Sequence, residues 1–258
     1  EMQRSLVGSE MCIRDRLHGW LFDPDCAGAK PHLYAICCHG YSGQPQDMAK
    51  YAHRFARLGF TVLVPALRGH GLSEGRYAGM GWLDRRDLMR WISLIIGSDA
   101  DARILLQGKS MGAAAVMMTV GEPDLPRNVV AAVEDCGYAS VGQQFIDCAR
   151  SMFHLPKFLA KPIVTTMGAI ARRRAGYGFQ EASCVEQLKH ATIPMLFIHG
   201  GADDFVPSRA LDENFDACAS IDRQKLLIPS AGHSMSASTA PVVYWKTVTN
   251  FVTRVFGL

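Results

Sequence analysis

Three short stretches of the chain carry residues that could act together on a carbonyl carbon. In RILLQGKSMGAAAVMM, Gly108, Ser110 and Gly112 fall where an apolar strand pattern ends and a helix pattern begins. A serine at that junction occupies a sharp, strained turn, and glycines two before and two after it remove the β-carbons that would strike the neighbouring strand and helix. Its hydroxyl becomes a nucleophile only if a base takes the proton and an acid fixes the base's tautomer and stabilises its cation. Among nine histidines, His233 lies in PSAGHSM, a loop of small residues directly after the strand pattern KLLIP. Loops of that kind carry function more often than packing. The acid is expected between serine and histidine in chain order. HGGADDFVP, after the strand pattern IPMLFIH, offers Asp203 and Asp204, and Asp135 ends the strand pattern NVVAAVED. Asp203 fits best, as the first carboxylate after its turn; Asp204 and Asp135 stay open. The chemistry so assembled is acyl transfer through a covalent serine intermediate.

Acyl transfer also needs N–H donors aimed at the developing oxyanion. Met111, next after the serine, supplies one. The loop CCHGYSG supplies the second from Tyr41, with Gly40 permitting close approach. Tyr41, Tyr138, Phe153 and Phe205 are the candidate walls of a substrate pocket. His39, His70 and His199 sit in glycine-flanked turns, where bracing a loop is the expected role. The eight cysteines show no CxxC and no regular spacing, which speaks against zinc ribbons and redox dithiols. Cys37 and Cys38 are adjacent in a strand pattern, so their side chains are expected on opposite faces. Reduced thiols, a cytoplasmic setting, no cofactor and no metal are the expectation.

The elements that must position these residues follow from the rest of the chain. With 258 residues, 48% of them hydrophobic and 20% charged, the composition is globular and excludes collagen, low-complexity and coiled-coil classes. A net charge of +3 is too small for a nucleic-acid footprint unless it is concentrated on one face, so no nucleic-acid partner is expected. Apolar runs at 17–22, 33–38, 60–66, 103–108, 128–135, 193–199 and 224–229 read as strands. Leu88, Trp91, Ile92, Ile95 and Ile96 recur at helical spacing between two of them. Strand and helix alternating in this way predict an α/β fold, a mostly parallel central sheet with helices on both faces. In such sheets ligands bind beyond the carboxyl ends of the strands. Residues 138–190 break the rhythm and read as a small helical cap, two or three short helices broken by Pro156, Pro162 and Gly176. The core is then 17–137 and 191–258. No apolar run approaches the length of a membrane-spanning helix.

With these pieces placed, residues 17–258 resemble the α/β-hydrolase superfamily through CCHGYSG, PALRGHGLSEG, GKSMG, HGGADDFVP and AGHSM in family order. The likeness is nearest to bacterial serine hydrolases of the esterase, serine aminopeptidase-like and monoglyceride-lipase-like kind. The resemblance implies Ser110 as nucleophile, Asp203 as acid, His233 as base, and Tyr41 and Met111 as oxyanion donors. It implies cleavage of a small-molecule carboxylic ester with a small or medium acyl chain. A cinnamoyl or feruloyl esterase, an acylglycerol lipase, a peptidase or amidase, and an inactive hydrolase-fold binding scaffold are the alternatives. Lys109 departs from the pattern, placing a cation beside the nucleophile.

Residues 148–180 hold six basic side chains and no acidic one, interleaved with apolar residues. That basic face is either solvated or attracts acidic substrates or an anionic membrane surface. Residues 1–16, EMQRSLVGSEMCIRDR, resemble translated sequencing-adapter read-through of the kind found in metagenomic reading frames, with a natural disordered tail as the alternative. On the first reading a native first strand, and any anchor before it, would be missing and an edge of the sheet left open.

Overall fold

The computed structural model describes residues 15–26 and 30–258, together with the backbone course of 3–9. Its sheet has eight strands: β1 (Gln3–Ser9), β2 (Arg16–Phe22), β3 (Leu33–Cys38), β4 (Thr61–Pro65), β5 (Arg103–Lys109), β6 (Val129–Asp135), β7 (Met195–Gly200) and β8 (Arg223–Ile228), in the order β1-β2-β4-β3-β5-β6-β7-β8. β1 and β2 pair antiparallel, and every pairing from β4 through β8 is parallel. Each apolar run singled out in the sequence is a strand, with ends displaced by a residue or two. Parallel neighbours need helical crossovers, and the chain supplies them on both faces.

On one face α1 (Ala49–Arg57) and the C-terminal α9 (Pro241–Phe256) bury Tyr51, Phe55, Tyr244, Phe251 and Phe256 against Ala35, Cys37, Val62 and Val133. On the other, α2 (Asp84–Ser98), α3 (Met111–Val120) and α7 (Arg209–Ala217) pack Leu88, Trp91, Met117 and Leu211 against Ile36, Cys38, Leu106 and Phe197. Cys37 and Cys38 thus fall on opposite sides of the pleat, and the cysteines among the described residues are free thiols. The predicted stripe of α2 faces this second layer: Leu88, Trp91, Ile92 and Ile95 are buried, and Ile96 packs at its margin.

Between β6 and β7 lie α4 (Val141–Phe153), α5 (Lys157–Ala175) and α6 (Cys184–Leu188), with the short α8 (Ser236–Thr239) following β8. Pro156 and Gly176 bound α5 as expected, Gly176 with φ +79°. Pro162 does not break the helix; it lies inside α5. Its ring removes the N–H that would bond the Phe158 carbonyl, but both residues lie on the exposed side, where water can serve that carbonyl. Part of the stretch 1–16, expected outside the fold, pairs with the sheet. Gln3–Ser9 pairs along the whole of β2, which Arg16 opens. The unpaired N–H and C=O groups of an edge strand accept any segment able to run beside them, whatever its side-chain pattern. Among the described residues no helix is long and apolar enough to cross a membrane.

Candidate active site

Ser110 stands between β5 and α3 with φ 55° and ψ −119°, outside the regions L residues ordinarily occupy. The sequence permits this because the residues two before and two after it have no side chains. A Cβ on Gly108 would come within 2.3 Å of the Gly112 carbonyl oxygen, and one on Gly112 within 2.3 Å of the Cys38 carbonyl oxygen. The Ser110 N–H donates to the Asp135 carbonyl at 2.8 Å, which ties the turn to the neighbouring strand.

The three stretches converge at the carboxyl edge of the sheet. Ser110 Oγ lies 2.8 Å from His233 Nε2, and His233 Nδ1 lies 2.7 Å from Asp203 Oδ2. An ionised carboxylate only accepts, so Nδ1 carries the imidazole proton and Nε2 presents a lone pair to the serine hydroxyl. Asp203 Oδ1 takes the backbone N–H groups of Phe205 and Val206 at 3.0 and 2.8 Å. Burial pushes this carboxyl up, but hydrogen bonds from His199 and His233 outweigh it and hold Asp203 well below the ordinary carboxylate range. The other two candidate acids stand elsewhere. Asp204 is exposed. Asp135 lies buried under the serine, where its Oδ2 accepts the hydroxyls of Tyr244 at 2.9 Å and Tyr51 at 3.4 Å, and burial pushes its carboxyl up.

The bracing histidines each tie two loops. His39 donates from Nδ1 to the Gly40 carbonyl at 2.8 Å and accepts the Leu67 N–H at Nε2, while burial pulls its pKa down to about 4. His70 donates to the Arg68 carbonyl and accepts the Ser42 N–H. His199 donates to the Val206 carbonyl at 3.0 Å, with Asp203 Oδ2 at 3.4 Å. The loop bearing Tyr41 is thereby held beside the nucleophile. A Cβ on Gly40 would lie only 3.2 Å from Ser110 Cβ. Met111 opens α3, so its N–H is among the donors that a helix leaves without an internal partner.

Two clefts meet at Ser110. One, of about 440 Å³, is apolar and lined by Met111, Tyr138, Phe145, Met167, Ile170 and Phe205 among others. The second, of about 370 Å³, is polar, with Ser42, Asp47, Lys109, His233 and Ser234 on its walls. Tyr41 and Phe205 border both. Lys109 therefore faces the polar cleft, in register with Asp135 of β6. Of the expected pocket walls, Tyr41, Tyr138 and Phe205 are brought together and Phe153 is not; it is 70% exposed at the end of α4. The face of α4 turned to the cleft carries Gln144, Phe145 and Cys148, and five residues beyond Cys148 the helix has rotated Phe153 away from it.

The sequence reading missed the loop Tyr77–Met80, which lines the apolar cleft and is tied to the helical segment by Tyr138 Oη on the Met80 carbonyl at 3.0 Å and Tyr177 Oη on the Ala78 carbonyl at 3.1 Å. Its signal was the pair Gly79 and Gly81 around Met80, which takes φ +48°.

Comparison with known proteins gives the family and the fold. The family described as "Serine aminopeptidase, S33" matches residues 29–169. YqkD of Bacillus subtilis (strain 168) is 26% identical over 218 residues, 84% of this chain and 70% of that protein. The thermostable monoacylglycerol lipase of Bacillus sp. (strain H-257) is 38% identical over 55 residues, 19% of this chain and 22% of that one. The Pyrococcus furiosus esterase Pf2001 superposes with a TM-score of 0.77 at 18% identity, covering 98% of this chain and 93% of its own. At that identity the likeness establishes the α/β-hydrolase fold.

Proposed function

Starting from a chain that belongs to the Serine aminopeptidase, S33 family, we propose that it is a serine hydrolase cleaving carboxylic esters of small to medium acyl chains. The observation that carries the reading is the unbroken hydrogen-bonded line from Ser110 Oγ through His233 to Asp203, beginning at a serine held in a strained turn. In the proposed reaction Ser110 Oγ attacks the ester carbonyl as His233 Nε2 takes its proton, and Asp203 stabilises the imidazolium. The N–H groups of Tyr41 and Met111 receive the oxyanion. His233 returns the proton to the departing alcohol. Water, deprotonated by the same imidazole, then frees the acid from Ser110.

The contrast between the clefts supports esters over peptides. An aminopeptidase must pair the α-ammonium of its substrate with a carboxylate; Asp47 in the polar cleft stands beside Lys109, and among the described residues no Asp or Glu lines the 440 Å³ cleft. Its tyrosine, phenylalanine, methionine and isoleucine side chains suit an acyl chain, while the polar cleft suits a hydroxyl-bearing leaving group. Hydrolysis of p-nitrophenyl butyrate by the wild type and by Ser110→Ala tests the nucleophile; equal rates would end the proposal. An acylglycerol, a hydroxycinnamate ester and an aminoacyl amide, offered side by side, test the substrate class, with the acylglycerol expected to turn over fastest. A fluorophosphonate probe is expected to label Ser110; folded protein that stays unlabelled would instead favour a binding scaffold.

A further inference from the structure

A thiol that the hydrolytic chemistry does not use stands beside the base. Cys136 follows β6 directly, with φ +53° and its side chain wholly buried. Its Sγ, a carboxylate oxygen of Asp203 and a ring nitrogen of His233 all lie within 4.8 Å of one another. Ser234 Oγ is 3.4 Å from the sulfur. Thiolate, imidazole and carboxylate are the donor set of tetrahedral zinc, whose ligand atoms, at bond lengths of about 2.0–2.3 Å, stand roughly 3.3–3.8 Å apart. Reaching that spacing takes movement of the three side chains from their present separations, all under 4.8 Å. One movement is a widening of the 2.7 Å contact between His233 and Asp203.

We infer that Cys136, Asp203 and His233 form an inhibitory site for zinc.

Two further carboxyl groups stand beside the thiol. Glu134 and Asp135 precede the thiol in sequence, and each keeps one buried carboxylate oxygen without a hydrogen-bond partner. Zinc takes cysteine as the thiolate, so binding must expel the thiol proton. Entry is from the polar cleft, where His233 and Ser234 are on the wall and the carboxylate of Asp47 stands with the ammonium of Lys109. The proton count explains inhibition. In the free protein the imidazole proton is on Nδ1. Zinc bonded to Nδ1 moves that proton to Nε2 and releases the thiol proton to solvent. Nε2 then faces Ser110 as a donor and cannot take its proton. Ser234 Oγ or water completes the four ligands.

The loss of activity rests on the proposed role of His233 as base, whereas binding does not, so the two are measured separately. Cobalt(II), replacing zinc, is titrated into wild type, Ser110→Ala, Cys136→Ala, Cys136→Ser and His233→Ala, each also carrying serine at Cys12, Cys26 and Cys148. A thiolate-to-cobalt charge-transfer absorption at one equivalent is expected in the first two proteins and absent in the other three. In ester hydrolysis, Cys136→Ala is expected to keep its activity and to need at least about tenfold more zinc for half-inhibition, the scale of losing a metal contact. Chelation should restore the wild type. Equal zinc sensitivity in wild type and Cys136→Ala, or no thiolate band in Ser110→Ala, overturns the site. A thiolate band in a protein that hydrolyses nothing leaves the metal site standing and removes the proposed function.

Discussion

The two walls of the cleft are built on opposite terms. The floor, formed by the carboxyl ends of β5, β6 and β7, is polar and closely bonded. Ser110, His233 and Asp203 each hold their neighbour at 2.7–2.8 Å, and His39, His70 and His199 pin the loops around them. The roof, formed by α4 and α5 and resting on the loop Tyr77–Met80, is apolar, and several of its large side chains, Met167 and Ile170 among them, are also open to solvent. What joins the walls is sparse: Tyr138 and Tyr177 reach down to the Met80 and Ala78 carbonyls, and Gln144 Nε2 donates to the Phe205 carbonyl at 2.8 Å. Proton transfer tolerates displacements of only a few tenths of an ångström, whereas an acyl chain needs area and little direction. On the proposed function, the division of materials follows that difference in demand.

The sharpest test compares two carboxylates at adjacent strand ends of the floor. Asp203 touches His233, while Asp135 supports the serine turn from below through its backbone carbonyl. Asp203→Asn is expected to cut kcat by about 10⁴-fold, because the imidazole then settles in the wrong tautomer. Asp135→Asn keeps the backbone carbonyl and is expected to cost less than about tenfold. Steady-state hydrolysis of p-nitrophenyl butyrate by both variants decides, and comparable losses would break the distinction between the two acids.

The second test concerns Asp84, which anchors the loop shared by both walls. Its Oδ2 accepts the Gly81 N–H at 2.8 Å, while burial, reinforced by the charge of Asp87, pushes its pKa up to about 7. The folded protein therefore holds a proton that the unfolded chain releases above the ordinary carboxylate range. Between about pH 4 and about pH 7 the native state binds more protons, so stability falls as pH rises through that window. Asp84→Asn can keep the bond to Gly81 through its amide oxygen and has no charge to bury. It is expected to flatten this slope and to be more stable than wild type above about pH 7, by on the order of 2–4 kcal/mol. Urea unfolding at about pH 4.5, 6 and 7.5 checks it; parallel curves for the two proteins would show that Asp84 ionises freely in the fold.

How far each wall could be read from the sequence follows the same division. The floor residues sit where strands end, and their turns demand glycine, as Gly108 and Gly112 show by the clashes a Cβ would make. Local rules therefore reached Ser110, Asp203 and His233. They also gave His199 a bracing role, which its bond to the Val206 carbonyl fits, and kept Asp135 open as the acid, whereas its carbonyl is found supporting the serine turn. The roof is assembled from segments far apart in sequence. Tyr177 bonds to Ala78 across nearly a hundred positions, and no local pattern announces that meeting. Pro162 was misread for a related reason, since whether a proline ends a helix depends on what faces the carbonyl it leaves unbonded.

Phe153 gives the smallest expected effect and the cleanest check on the roof. By composition it belongs with Phe145 and Ile170, apolar residues of the same helical segment, but α4 turns it outward while the other two line the 440 Å³ cleft. If the roof selects acyl chains by the volume it leaves open, Ile170→Trp should fill part of that volume. It is expected to change the ratio of kcat/KM for p-nitrophenyl octanoate over butyrate by about tenfold against the longer chain, the scale of a few methylenes displaced from an apolar pocket. Phe153→Trp adds bulk to the same segment outside the cleft and is expected to leave that ratio within about twofold of wild type, since exposed substitutions perturb little. A shift at Phe153 as large as that at Ile170 would mean that the end of α4 folds over the cleft when substrate binds, and that the roof closes on its substrate rather than waiting for it.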